Sequence, residues 1–287
     1  MRILIAIICI IISFVIYPIY TNEKANGDKI KEANLDNKEK EQEMNLIDEI
    51  EKYLQSQNLS KEKIAVYISS FDGRDVYSFH EDTDFIAASL YKVPLAMIYY
   101  ELILQGVYNE DDLFLYESYH YEAGGPIGDN YIPGTYFTLS DLLHYLILNS
   151  DNTAGHILFE NLGGWVSFKN LCEKYGQVDH SETFYSYDNV FTANYLHDCL
   201  NYLYHHKNSF DLLIQDMENT FKQDYLNRYV SKKIAQKYGS YEDALNIMGF
   251  VETKRPYSIV ILSNYGYNFK EHMGRINEIC YRYFSMG

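Results

Sequence analysis

Strand-like sequence lies at both ends of a helical middle, and this segregation constrains the fold of the 287-residue chain more than any other feature. Leu46, Ile47, Ile50 and Leu54 recur at helical spacing and predict a first helix over about Asn45–Gln57. Ile64–Ile68 reads as a strand, Asp72-Gly73 as a turn and Val76–Phe79 as the return strand. In the middle, Thr138 with Asp141 forms a capping-box-like start for Leu139, Leu142, Leu143, Leu146 and Ile147, which share one helix face. A further helix runs over Thr153–Glu160 and stops at Gly163-Gly164. Lys233–Lys237, Ala244–Val251 and Tyr257–Leu262 predict three late strands, with Pro256 at an edge, before a final helix over about Phe269–Phe284. The expected class is α/β (α+β): a five-stranded antiparallel sheet flanked by helices, plus an all-helical lobe with a cleft against the sheet. No internal repeat is present.

Ahead of this block, Ile3–Ile19 is almost unbroken apolar sequence after Arg2. Its length is short for a membrane helix and long for a signal-peptide core, and bulky Tyr17-Pro18-Ile19-Tyr20 offers no small-residue cleavage site. Residues 1–20 are expected to be an uncleaved signal anchor, with the remaining chain on the extracellular side of the cell membrane. Residues 21–44, rich in Lys, Glu, Asp and Asn, cannot bury enough apolar surface to order themselves and read as a charged linker. Residues 45–287 form the folded domain, expected to be monomeric.

The net charge of −16 speaks against nucleic acid as a partner, because phosphate binding needs a clustered positive field. Thirty tyrosines against one tryptophan are read as composition bias that fills the core. Cys9, Cys172, Cys199 and Cys280 stand far apart, so a metal site is not expected. A Cys172–Cys199 disulfide is conceivable, but buried free thiols suit a domain with its own core. His205-His206 with Asp211 falls on a helix end and loop, without a third ligand at a recognisable spacing. No cofactor is implied.

Three short motifs carry the chemistry. Ser89-Leu-Tyr-Lys92 places a lysine one helical turn after a serine; a desolvated lysine amine can take the proton of a serine that attacks a carbonyl. Alone, the pattern is equally a helix start with an exposed lysine, although flanking Ala87-Ala88 and Val93-Pro-Leu-Ala96 would bury the lysine stem. Ser150-Asp151-Asn152 lies between two helices and is by itself a polar loop with a capping residue. In a site, Ser150 passes a proton to a leaving nitrogen and Asn152 orients Lys92 and the substrate amide. Lys237-Tyr238-Gly239-Ser240 ends a strand; Lys237 there draws a substrate carboxylate and Gly239 lets a ligand approach the backbone. The N–H groups of Ser89 and Ser240 would then polarise the carbonyl oxygen.

The motifs occur in this order, about 60 and about 85 residues apart. Together they resemble the S-x-x-K, S-D-N and K-T-G set of the class A β-lactamases and their penicillin-binding relatives. The likeness extends over about Asn45–Phe284, including Phe85–Leu95 around the serine and Leu148–Ala154 followed by Leu162-Gly-Gly164. It implies a β-lactamase/transpeptidase-like fold and a serine hydrolase acting on amide bonds, through an acyl-Ser89 intermediate with β-lactams or acyl-D-Ala-D-Ala-like cell-wall peptides. Ser89, Lys92 and Ser150 would be catalytic, and Asn152, Lys237, Tyr238, Gly239 and Ser240 substrate-binding. The alternative is a non-catalytic module that senses muropeptides or β-lactams in the same cleft.

Two departures stand out. Tyr238 replaces the usual threonine, which is expected to change substrate preference more than catalysis. The Glu-x-x-Leu-Asn segment that activates the deacylating water in class A enzymes has no counterpart in Gln177–Thr192, where Asp179, Glu182 and Asp188 are the acids. Acylation is therefore expected to outrun deacylation.

Overall fold

The computed structural model describes residues 45–178, 180–221 and 223–286. The expected anchor and linker lie outside the described residues, among which no helix is long and apolar enough to cross a membrane. The chain divides into two units, 1–48 and 49–287. The first contributes the opening residues of helix α1 (Leu46–Ser56); all later elements lie in the second.

From there the chain runs through strands β1 (Ile64–Ser70), β2 (Val76–Phe79) and β3 (Phe85–Ile86) into helix α2 (Lys92–Leu104). The middle holds β4 (Leu113–Leu115), α3 (Pro126–Asn130), β5 (Tyr136–Thr138), α4 (Leu139–Leu148), α5 (Asn152–Asn161), α6 (Trp165–Cys172) and α7 (Glu182–Tyr185). Then come β6 (Val190–Phe191), α8 (Ala193–His205), α9 (Asp211–Glu218), β7 (Ala235–Tyr241), β8 (Ala244–Val251), β9 (Tyr257–Ser263) and α10 (Lys270–Met286).

Five strands form the one antiparallel sheet that the sequence pattern predicts, and their order is β2-β1-β9-β8-β7. Every residue of β8 and β9 is buried, the signature of strands covered on both faces. Helix α8 packs against β1 and β9. Helix α10 is tied to β9 where Tyr257 stacks on Phe284 at 4.5 Å and its hydroxyl donates to Asn277 at 2.8 Å. The predicted stripe of α4 is buried at Leu139, Leu142, Leu143, Leu146 and Ile147, and Thr138 caps the helix by accepting from Asp141 N at 3.1 Å.

The first late strand differs from its predicted span. It runs Ala235–Tyr241 instead of Lys233–Lys237, so Lys237-Tyr238-Gly239-Ser240 lies inside the edge strand and not at its end. The lysine that looks like a boundary is fully buried, because its ammonium turns inward onto a polar site. Cys172, Cys199 and Cys280 are free and buried. His205 ends α8 and Asp211 opens α9, and no group of metal-ligating side chains forms among the described residues. Of the many tyrosines, Tyr99, Tyr116, Tyr195, Tyr225 and Tyr257 are core residues.

Candidate active site

Ser89 sits in a 3₁₀ turn, Ala88–Tyr91, that runs directly into α2. In such a turn residues three apart eclipse one another, which sets Ser89 and Lys92 on one face. Pro94 falls in the first turn of α2, where its missing N–H costs no helical bond. The entry to the turn is fixed from two sides. β3 pairs with β6 at Phe85–Phe191 and Ile86–Val190, and the zipper continues as Ala87 N donates to Asn189 O at 2.9 Å. The Asn189 side chain then donates to Ala88 O. From the sheet, buried Asn246 donates to Ile86 O at 2.8 Å and accepts from Ser263 N at 3.0 Å.

The second motif divides its duties residue by residue. Helix α4 ends at Leu148, and Ser150 takes the left-handed conformation (φ 57°) that commonly closes a helix, with Asp151 N reaching back to Tyr145 O at 3.0 Å. Asp151 is structural. It is fully buried, caps α5 through Ala154 N at 2.8 Å and receives Ile127 N at 2.7 Å, while burial raises its pKa. Asn152, the first residue of α5, donates to Ala123 O at 2.7 Å and presents its Oδ1 to Lys92 at 2.6 Å.

Lys92 is fully buried and donates to Ser150 O at 2.6 Å, to Asn152 Oδ1 at 2.6 Å and, more weakly, to Ser150 Oγ at 3.4 Å. Burial pushes its pKa down to about 7, opposed by the negative charges of Asp151 and Glu122. Lys237, also fully buried, donates to Ser150 Oγ at 2.8 Å and to Tyr238 O at 2.8 Å. The three motifs thus converge on one hydroxyl.

Gly239 explains how β7 comes so close to the serine. A Cβ there would lie 2.4 Å from Ala87 O and 3.0 Å from Ser89 N, so only glycine lets the edge strand lie against the Ser89 backbone. Ser240 follows on the exposed side and lines the same cavity as Ser89. The Tyr238 ring stacks on Tyr225 at 5.3 Å and 7°, which holds it flat against that residue.

The cavity around Ser89 has a volume of about 360 Å³ and is also walled by Asn152, Glu122, Tyr187, Asp188 and Asn189. Ala88 (φ 50°), Ser150 (φ 57°) and Asn189 (φ 56°) all carry positive φ, a local cost of about 1–3 kcal/mol per residue that tertiary contacts must offset.

Four residues about this site carry no motif signal. Asn189 and Asp188 lie in the segment Gln177–Thr192, but without a glutamate at motif spacing. Glu182 opens α7 and Asp179 lies outside the described residues. Glu122 stands in a stretch without periodicity, and burial raises its pKa despite His156 at 3.1 Å and nearby Lys92. Lys169 looks like an ordinary helical lysine in the sequence. It is fully buried, donates to Val190 O at 2.9 Å, and lies 4.0 and 3.5 Å from the ring centres of Phe184 and Phe191; burial lowers its pKa to about 7.

The profile of the beta-lactamase enzyme family matches residues 45–284. The chain belongs to the beta-lactamase enzyme family. Solved structures of the same fold include PBP-A, also determined as a mutant acyl-enzyme complex with penicillin G. Unmutated PBP-A has a TM-score of 0.73 and 17% identity over 85% of this chain and 97% of that one. A beta-lactamase from Chitinophaga pinensis matches with a TM-score of 0.71 and 20% identity, over 83% and 99%. One from Sphaerobacter thermophilus gives 0.68 and 19%, over 78% and 92%. No curated protein matches the sequence significantly. In this family's fold, the expected architecture of sheet and helical lobe is the observed one.

Proposed function

We propose that this β-lactamase-family protein is a serine acyl-transfer hydrolase in which Ser89 attacks the carbonyl of a β-lactam or an acyl-D-Ala-D-Ala-like peptide. The observation that carries the reading is the convergence of Lys92 and Lys237 on Ser150 beside the Ser89 cavity. In its neutral form Lys92 takes the Ser89 hydroxyl proton as the Oγ–C bond forms. Ser150 delivers its proton to the nitrogen as the C–N bond breaks and regains one from Lys92, 3.4 Å from its Oγ, and water later hydrolyses the ester. Lys237 draws the substrate carboxylate, and the N–H groups of Ser89 and Ser240 hold the oxyanion. The apolar run Ile3–Ile19 supports a domain held at the extracellular face of the membrane.

Slow deacylation is part of the proposal, because Gln177–Thr192 brings no glutamate to the cavity wall among the described residues. A time course with labelled penicillin tests both halves. A stoichiometric label that persists on the wild type and is absent from Ser89→Ala supports the reading; equal label on both, or none on the wild type, overturns the acyl-enzyme. Rapid loss of label from the wild type, slowed in Asp188→Asn, would overturn slow release and give Asp188 the water-activating role.

A further inference from the structure

The charged residues lining the Ser89 cavity are both acidic. Glu122 and Asp188 both line it, and no lysine, arginine or histidine lines it with them among the described residues. Behind the lining, His156 Nδ1 lies 3.1 Å from Glu122 Oε1, so Asp188 is the less compensated of the two acids. The two lysines of the site are fully buried, committed to Ser150, and do not line the cavity. Asp188 is exposed; its backbone N–H reaches Ser186 Oγ at 3.3 Å, while its carboxylate makes no hydrogen bond or ion pair among the described residues. Tyr187 and Tyr241, 77% and 57% exposed, line the same cavity.

Carboxylates and open tyrosine rings about one cavity share a preference: both attract a cation, the first by charge and the second by the ring quadrupole. The same wall repels a second carboxylate. The proposed function assigns the substrate carboxylate to Lys237, outside this lining, which leaves the cavity's charge preference to the acyl side of the scissile bond.

We propose that this cavity selects acyl donors bearing a cationic amine on the acyl side, held by Asp188 and Glu122 beside the Tyr187 and Tyr241 rings. The inference rests on Ser89 being the acylated residue. It narrows the substrate class to amine-bearing peptides or β-lactams and disfavours acidic ones.

The test is a charge series on the full-length protein at pH 6: ampicillin, whose side chain carries a protonated amine, benzylpenicillin, which is neutral there, and carbenicillin, which carries a carboxylate. Second-order acylation rates are read by intact mass. Ampicillin should react about tenfold faster than benzylpenicillin and carbenicillin about tenfold slower, with the spread narrowing in high salt. In the double variant Glu122→Gln, Asp188→Asn the three rates should converge. Equal rates on the wild type, or an unchanged order in the double variant, overturn the proposal. The wild-type series decides it even if the variant does not fold. No adduct with any of the three overturns the acyl-serine reading itself, and this inference with it.

Discussion

Lys237 Nζ donates to Ser150 Oγ at 2.8 Å, joining an edge strand to the loop between two helices of the other lobe. Lys92 approaches the same oxygen at 3.4 Å. With Lys237 and Lys92 on the oxygen's acceptor side, the hydroxyl hydrogen remains available to be donated outward. Ser150→Ala should therefore slow acylation by roughly 10²–10⁴-fold, the range for a lost general acid. Rates of penicillin labelling on protein checked for folding by circular dichroism measure this. A labelling rate within a few-fold of the wild type would remove Ser150 from the proton path.

In the proposed reaction Lys92 sets the pH dependence. Burial lowers its pKa to about 7, and only the neutral amine can accept the serine proton. The acylation rate should rise with pH through about 7 and level off above it. Lys92→Arg should abolish labelling across this range, because a guanidinium stays charged. A pH–rate profile flat between 5 and 9 would contradict the assignment.

How far the sequence discloses this site depends on what each residue answers to. The stripe of α4 is legible because five apolar positions on one face have a single burial solution. The motif residues are legible because the three motifs resemble a family's set in order and spacing. The extent of β7 is not, since Lys237 and Tyr238 read as a solvated strand end until the opposing lobe supplies Ser150 as a partner. The β3–β6 ribbon pairs only two residues on each side, too few for an alternation signal. Asn189 is invisible for a related reason: its part is to hold Ala87 and Ala88 from across the chain, which leaves no local pattern.

Gly239 offers a steric test of how β7 seats Ser89. In Gly239→Ala the new methyl would meet Ala87 O at 2.4 Å, and backbone cannot give way as a flexible side chain can. β7 must shift away from Ser89, carrying the Ser240 N–H with it. Acylation should fall by about 10²–10³-fold, comparable to losing one oxyanion donor. The sheet itself should survive, since Gly239 lies on an edge strand. Labelling rate and thermal midpoint together check this; unimpaired labelling would show that the strand does not position the oxyanion.

Lys169 makes a stability prediction independent of the chemistry. Its ammonium is fully buried among Phe184, Phe191 and Trp165 and satisfies Val190 O at 2.9 Å, while burial holds its pKa near 7. An unfolded chain keeps this lysine protonated up to about 10.4. Between these values the unfolded state binds the extra proton, so the Lys169 contribution to stability rises with pH; below 7 the folded state must bury the charge. Lys169→Met keeps the volume and removes the charge at the loss of one hydrogen bond to Val190 O. The variant should gain about 1–4 kcal/mol over the wild type at pH 6, and the gain should shrink as the pH approaches 10. Denaturant unfolding at both pH values measures the difference. A variant destabilised equally at each would mean that the Val190 bond outweighs the buried charge, and that Lys169 is retained to hold β6, and with it Asn189, in place.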